Sequence, residues 1–92
     1  MNSAVPWTVH VDEAVEKQLR RIPHRDKERI FSVIAEIAAS PYAGDIVKMR
    51  GEKDVWRRRV GAYRIFFEVL SEERVVYVYR VERRTSTTYG SR

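Results

Sequence analysis

The chain has 92 residues, room for one small domain. Apolar residues make up 43% and charged residues 34%, a balance that supports a packed core and argues against intrinsic disorder. There is no cysteine, which excludes a disulfide framework, a thiolate zinc site and a cysteine nucleophile.

The apolar runs are a few residues long, far short of the ~20 needed to cross a bilayer. Met1 to Pro6 lack the basic-then-apolar order of a signal peptide, so a cytoplasmic protein without membrane association is expected. The net charge is +5, and it is segregated. Residues 1–47 hold six Lys/Arg and seven Asp/Glu, whereas residues 48–92 hold twelve and six. A basic half of this kind is the electrostatic footprint of a polyanion partner, nucleic acid first.

In chain order, Trp7, Val9 and Val11 alternate with Thr8 and His10, the period of a strand with one apolar face. Asp12 follows as a helix N-cap, with Glu13 and Glu16 placing negative charge in the first turn. Val15, Leu19 and Ile22 give a short amphipathic helix running to about Arg21, which Pro23 stops. A second helix restarts near His24 to Asp26. Its stripe is Ile30, Val33, Ile34, Ile37 and Ala38, and Ser40-Pro41 ends it. The two helices form a hairpin. Tyr42 to Asp54 is irregular and reads as a loop.

Val55 to Val60 reads as a strand with Arg57 and Arg59 on one face and Trp56, Arg58 and Val60 on the other. Gly61-Ala62 turns the chain into an aromatic and β-branched strand from Tyr63 to Leu70. Ser71-Glu72-Glu73 turns it again into a last strand from Val75 to Val81. The expected fold is therefore α+β, a helical hairpin packed on one face of an antiparallel sheet, in the order β-α-α-β-β-β. Residues 1–92 form one domain in this reading, with a core at about 7–84 and a polar tail at 85–92. Ile34, Ile37 and Phe67 are expected in the helix–sheet core.

His10 and His24 have no Ser or carboxylate partner nearby in sequence, and no metal-ligand spacing or phosphate-cradling glycine loop is present. Neither a metal nor a cofactor is therefore expected. What remains is arginine. Arg57, Arg59 and Arg64 lie on two strands joined by a tight turn, and Arg83 and Arg84 end the third. Because the hairpin covers one face of the sheet, the other is open to present them. Guanidinium forks suit phosphate oxygens, and Tyr89 is placed to stack on a base. On the residues alone, arginines that merely keep an exposed sheet soluble explain the pattern as well.

Val47-Lys48-Met49-Arg50-Gly51, followed by the run from Val55 through Trp56-Arg57-Arg58-Arg59-Val60-Gly61-Ala62-Tyr63-Arg64 to Phe67, resembles the RelE family of type II toxins. In that family a K-L-x-G element precedes an aromatic-R-x-R-x-G-x-Y-R run. Leu19-Arg20-Arg21-Ile22-Pro23 is similar to the end of the family's first helix, and Val81-Glu82-Arg83-Arg84 with Tyr89 to its final strand and tail. The resemblance covers about residues 7–89.

The resemblance implies a toxin that inhibits translation by cutting mRNA in the ribosomal A site, and a cognate antitoxin that binds it in a heteromeric complex. By position, Arg57, Arg59, Arg64, Arg84 and Tyr89 match catalytic residues, with Arg83 as second candidate for the place given to Arg84. Lys48, Arg50 and Arg83 match RNA-binding positions. Some members carry Lys where this chain has Arg57 and Arg59, and an arginine does not give up its proton at neutral pH. A gyrase inhibitor of the related ParE type, or an inactive module that binds nucleic acid or antitoxin, is the alternative.

Overall fold

The computed structural model describes residues 6–51 and 53–84. The tail at 85–92, and Tyr89 with it, lies outside the described residues. The elements are β1 (Thr8–Val11), α1 (Glu13–Arg20), α2 (His24–Ala39), β2 (Ile46–Lys48), β3 (Val55–Val60), β4 (Tyr63–Leu70) and β5 (Val75–Arg83). They form an α+β fold in which the two helices pack on one face of a sheet ordered β1-β5-β4-β3-β2. Two features extend the expected order. Residues 46–48, expected in a loop, pair antiparallel with β3 as an edge strand. β1 joins the other edge by running parallel to β5, so the sheet is mixed.

Helix boundaries follow local chemistry. Asp12 caps α1, its Oδ2 accepting from the Ala14 amide at 3.0 Å. Pro23 stands at the start of α2, where a missing N–H costs nothing. Each helix is also tied to the sheet. The Gln18 amide donates to the Val81 carbonyl at 2.7 Å, and the Tyr63 hydroxyl to Asp26 at 3.2 Å.

The core lies between the layers. Val15 and Leu19 of α1 and Ile30 and Ile37 of α2 meet Val60, Tyr63, Ile65, Phe67, Val69, Val76, Val78 and Val81. Ile37 and Phe67 are completely buried, as expected; Ile34 is half-buried and packs against the cluster. On β5 the inward series switches from Val76 and Val78 to Val81. A bulge causes this: Phe66 pairs with Arg80 and Phe67 with Val78, leaving Tyr79 as the extra residue. The bulge shifts the alternation by one, so Val81 returns to the core and Arg80 and Glu82 face outward.

One polar link joins three elements. The Tyr77 hydroxyl on β5 donates to Asp12 Oδ1 at 2.6 Å, at the junction of β1 and α1. That hydrogen bond, with the Ala14 amide second, holds the Asp12 carboxyl below its ordinary value of 3.8, and the same bond raises the Tyr77 phenol.

Two outcomes are expected. Ile37→Ala should destabilise the protein by about 2–5 kcal/mol in urea unfolding, because the site cannot collapse around the lost atoms. Ile34→Ala should cost less, and equal losses would mean the helix is rotated from the position described. The Asp12 carboxyl titrates lower in the folded chain, so its contribution is complete above the ordinary carboxylate pKa and is lost as pH falls through the folded value. The melting-temperature gap between wild type and Tyr77→Phe should therefore close on acidification from neutral pH. A gap independent of pH would remove the Tyr77–Asp12 bond as a source of stability.

Candidate functional site

On the inner face of β3 and β4 every side chain but Arg58 belongs to the apolar layer, and alternation sends the remaining ones to the face without helices. Arg59 and Arg64 stand directly opposite one another across the β3–β4 hairpin, and Arg57 lies opposite Phe66. The turn between them is Gly61-Ala62, with Gly61 at φ 58°, a left-handed value that glycine adopts without strain. Arg57, Arg59 and Arg64 line one cleft of about 150 Å³ together with Asp45 and Val47. The three arginines from the sequence are thus brought together by the structure.

Like charges opposite one another on a sheet are destabilising, so such a cluster is a cost to folding. Asp45 offsets it in part: its Oδ2 accepts from Arg59 Nε at 3.3 Å, while its carbonyl accepts from the Arg59 amide at 3.2 Å. Both side chains of this ion pair are more than half exposed, where such pairs contribute little stability. The net result is a small concave site with an excess of guanidinium donors, suited to an anion with several oxygens.

The other sequence candidates divide around this cleft. The Arg84 amide donates to the Ala62 carbonyl at 2.6 Å, continuing the ladder beside the β3–β4 turn. Two residues before it, Glu82 pairs in register with Arg64 on the open face. Alternation past the bulge puts Arg83 on the helix side instead. Its guanidinium lies 5.9 Å from the centre of the Tyr63 ring and lines a separate cavity with Lys17 and Arg21. Of the two arginines, Arg84 stands on the side of the cleft. Lys48 pairs with Trp56, also on the helix side, and donates to the Lys53 carbonyl at 2.7 Å. Arg50 is exposed beyond the end of β2. Asp45 was not among the residues expected from the sequence; the Ile46-Val47 pair was the one available signal of a strand there.

The segment carrying Asp45 is held from below by Arg58. Strand alternation turns this residue toward α2, where it is 9% exposed. Its guanidinium donates to Glu36 at 2.5 Å and to the Ala43 carbonyl at 3.3 Å. It packs so closely on Gly44 that a Cβ there would sit 2.6 Å from Arg58 Cζ, and Gly44 has φ +91°. Further along, Asp54 accepts from the Trp56 indole at 2.7 Å and the Tyr42 hydroxyl at 3.0 Å. Tyr42 in turn meets the Trp56 ring edge-on at 5.4 Å. The segment between α2 and β3 is therefore pinned at both ends, and the floor of the cleft is built.

The fold has relatives. The RelE toxin of Escherichia coli superposes with a TM-score of 0.79 over 92% of each chain, at 24% identity. RelE in the RelE–RelB complex of Pyrococcus horikoshii gives 0.78 over 89% of this chain and 99% of its own, at 22% identity. The protein named RelE1 from Methanocaldococcus jannaschii is 25% identical over 81 residues, spanning 85% of this chain and 90% of its own length. A sequence model of the ParE toxin of type II toxin–antitoxin systems matches residues 7–87, from the strand that opens the fold to beyond the end of β5. The chain belongs to this family of type II toxins, within the RelE/ParE superfamily.

Proposed function

We propose that this toxin is a ribosome-dependent mRNA endonuclease that arrests translation, and that a cognate antitoxin holds it inactive. The observation that carries this reading is the cleft in which Arg57, Arg59 and Arg64 converge on the open face of the sheet. In the reaction, the 2′-oxygen of a nucleotide attacks its own 3′-phosphate in line. A 2′,3′-cyclic phosphate and a free 5′-hydroxyl result. The nucleophile is internal, so binding and orientation supply most of what the protein must contribute.

Arg57, Arg59 and Arg64 stabilise the charge that builds on the phosphorane, and Arg84 reaches the same face from the end of β5. Tyr89 is the stacking residue for a splayed base in this reading. Lys48, Arg50 and Arg83 lie outside the cleft and are assigned phosphate contacts at its periphery. A cleft of donors without a strong base fits an enzyme that needs the ribosome to align its substrate. The antitoxin partner is suggested by relatives solved as RelE–RelB complexes, and the substrate implies a cytoplasmic site of action.

The matching family model bears the name of ParE, which favours one competing reading, a gyrase inhibitor. Mapping of mRNA ends after induction separates the two: breaks within A-site codons support the nuclease, and DNA damage with intact mRNA supports the gyrase inhibitor. Arg64→Ala should lower ribosome-dependent cleavage by about 10²-fold or more, the size expected for losing one transition-state donor. Arg20→Ala, on α1 across the core, serves as the control. Equal cleavage by the two variants would displace the active site from this cleft.

A further inference from the structure

We propose that Asp45 is the proton acceptor of the arginine cleft, taking the proton of the 2′-hydroxyl as that oxygen attacks the adjacent phosphate. The proposal rests on the nuclease reading above and assigns its missing base. Of the residues lining the cleft, Arg57, Arg59 and Arg64 carry guanidinium groups, which donate and do not accept, and Val47 is inert. The carboxylate of Asp45 is the one acceptor among these lining side chains. Among the described residues, the other carboxylates on the open face do not line the cleft: Glu82, in register with Arg64, is ion-paired with Arg80, and Glu68 lies opposite Val55 and Tyr77, four residues further along β4 than Arg64.

Position supports the role as well as chemistry. The attacking oxygen and the phosphorus belong to one nucleotide, so its base must lie beside the groups that hold the phosphate. Asp45 does, at 3.3 Å from Arg59. That contact uses Nε, so the Asp45 carboxylate does not occupy the two terminal nitrogens of Arg59. Asp45 is itself fixed by the backbone bond from Arg59 and by the Arg58 guanidinium seated against Ala43 and Gly44 and anchored on Glu36. Arg58, Glu36 and Gly44 are accordingly positioning residues, which explains a buried cation on a strand that otherwise sends its arginines outward.

The step balances without any further reactant. The 2′-O–H bond breaks and its proton passes to the Asp45 carboxylate. The 2′-O–P bond forms as the P–O5′ bond breaks, and the leaving oxygen takes a proton from water. Asp45 then returns its proton to solvent.

The test is single-turnover cleavage of mRNA on programmed ribosomes by full-length toxin, over a range of pH, with wild type, Asp45→Asn and Asp45→Glu. Asp45→Asn should cut about 10²-fold more slowly or worse, and should lose the fall in rate that acidification causes in wild type. Its binding to toxin-free ribosomes carrying 2′-O-methyl mRNA, which cannot react, should be unchanged, and its melting temperature should match wild type because Asp45 is exposed. Asp45→Glu should retain measurable cutting. An Asp45→Asn toxin that cuts as fast as wild type overturns the proposal while leaving the nuclease reading intact. One that cuts faster and binds RNA more tightly overturns it too, and makes Asp45 a plug on the phosphate site. A wild-type toxin that cuts no mRNA on the ribosome removes both.

Discussion

Two helices can cover one face of a five-stranded sheet, and the rest of the structure follows from that limit. Most apolar side chains of β3, β4 and β5 are gathered on the face that α1 and α2 close, where Ile65, Phe67, Val76 and Val78 are buried. Burial of this area is the main source of stability. The other face must then be tolerable in water, and on this chain it carries Arg57, Arg59 and Arg64 at close quarters. Their mutual repulsion does not stabilise the fold. The three share one concave site, where their donors are available to an anion.

The second determinant is a single extra residue on β5. Regular alternation after Val78 would send Arg80 and Glu82 into the core and Val81 out of it. The bulge at Tyr79 reverses that phase, restores Val81 to the helix side, and keeps Glu82 opposite Arg64 on the open face. The same shift decides which of two adjacent arginines takes the helix side. Arg83 is turned toward Tyr63 and the helices, and Arg84 is left beside the β3–β4 turn. Bulges are common beside functional sites because they re-aim side chains without dismantling the ladder.

Precision at the cleft comes from beneath it. Arg58 is buried, and a buried cation is costly unless its donors are satisfied. Here they reach Glu36 on α2 and the Ala43 carbonyl, so one side chain couples helix, loop and strand. Gly44 is the residue that lets it sit so close, since any Cβ would collide with the guanidinium. Above the sheet the Asp45–Arg59 pair is exposed, while Arg57 and Arg64 are half-buried; the buried support lies on the core side. A site of surface arginines thus acquires a fixed geometry from a supporting layer that never meets the ligand.

The sequence by itself determined the helices, the three long strands and the shared face of Arg57 and Arg59, but not the helix-side position of Arg83. Those features are written in local periodicity: Val15 and Leu19 at helical spacing, Pro23 as a break, and Arg57 and Arg59 two residues apart on a strand. It also carried the family, because the Gly61-Ala62-Tyr63-Arg64 turn is a short contiguous signature. Only the tertiary structure decided the rest. The three-residue β2 has too few positions to show a period, and its pairing is conferred by β3. The parallel pairing of β1 with β5 joins segments far apart in the chain, which no local pattern encodes. The bulge at Tyr79 arises from the demand that both Val78 and Val81 reach the core. The place of Asp45 was invisible for the same reason: nothing in Gly44-Asp45-Ile46 puts it in a cleft until β3 brings it to the arginines. Local spacing fixes which face a side chain takes within one strand, whereas convergence of several strands on one cleft is a property of packing.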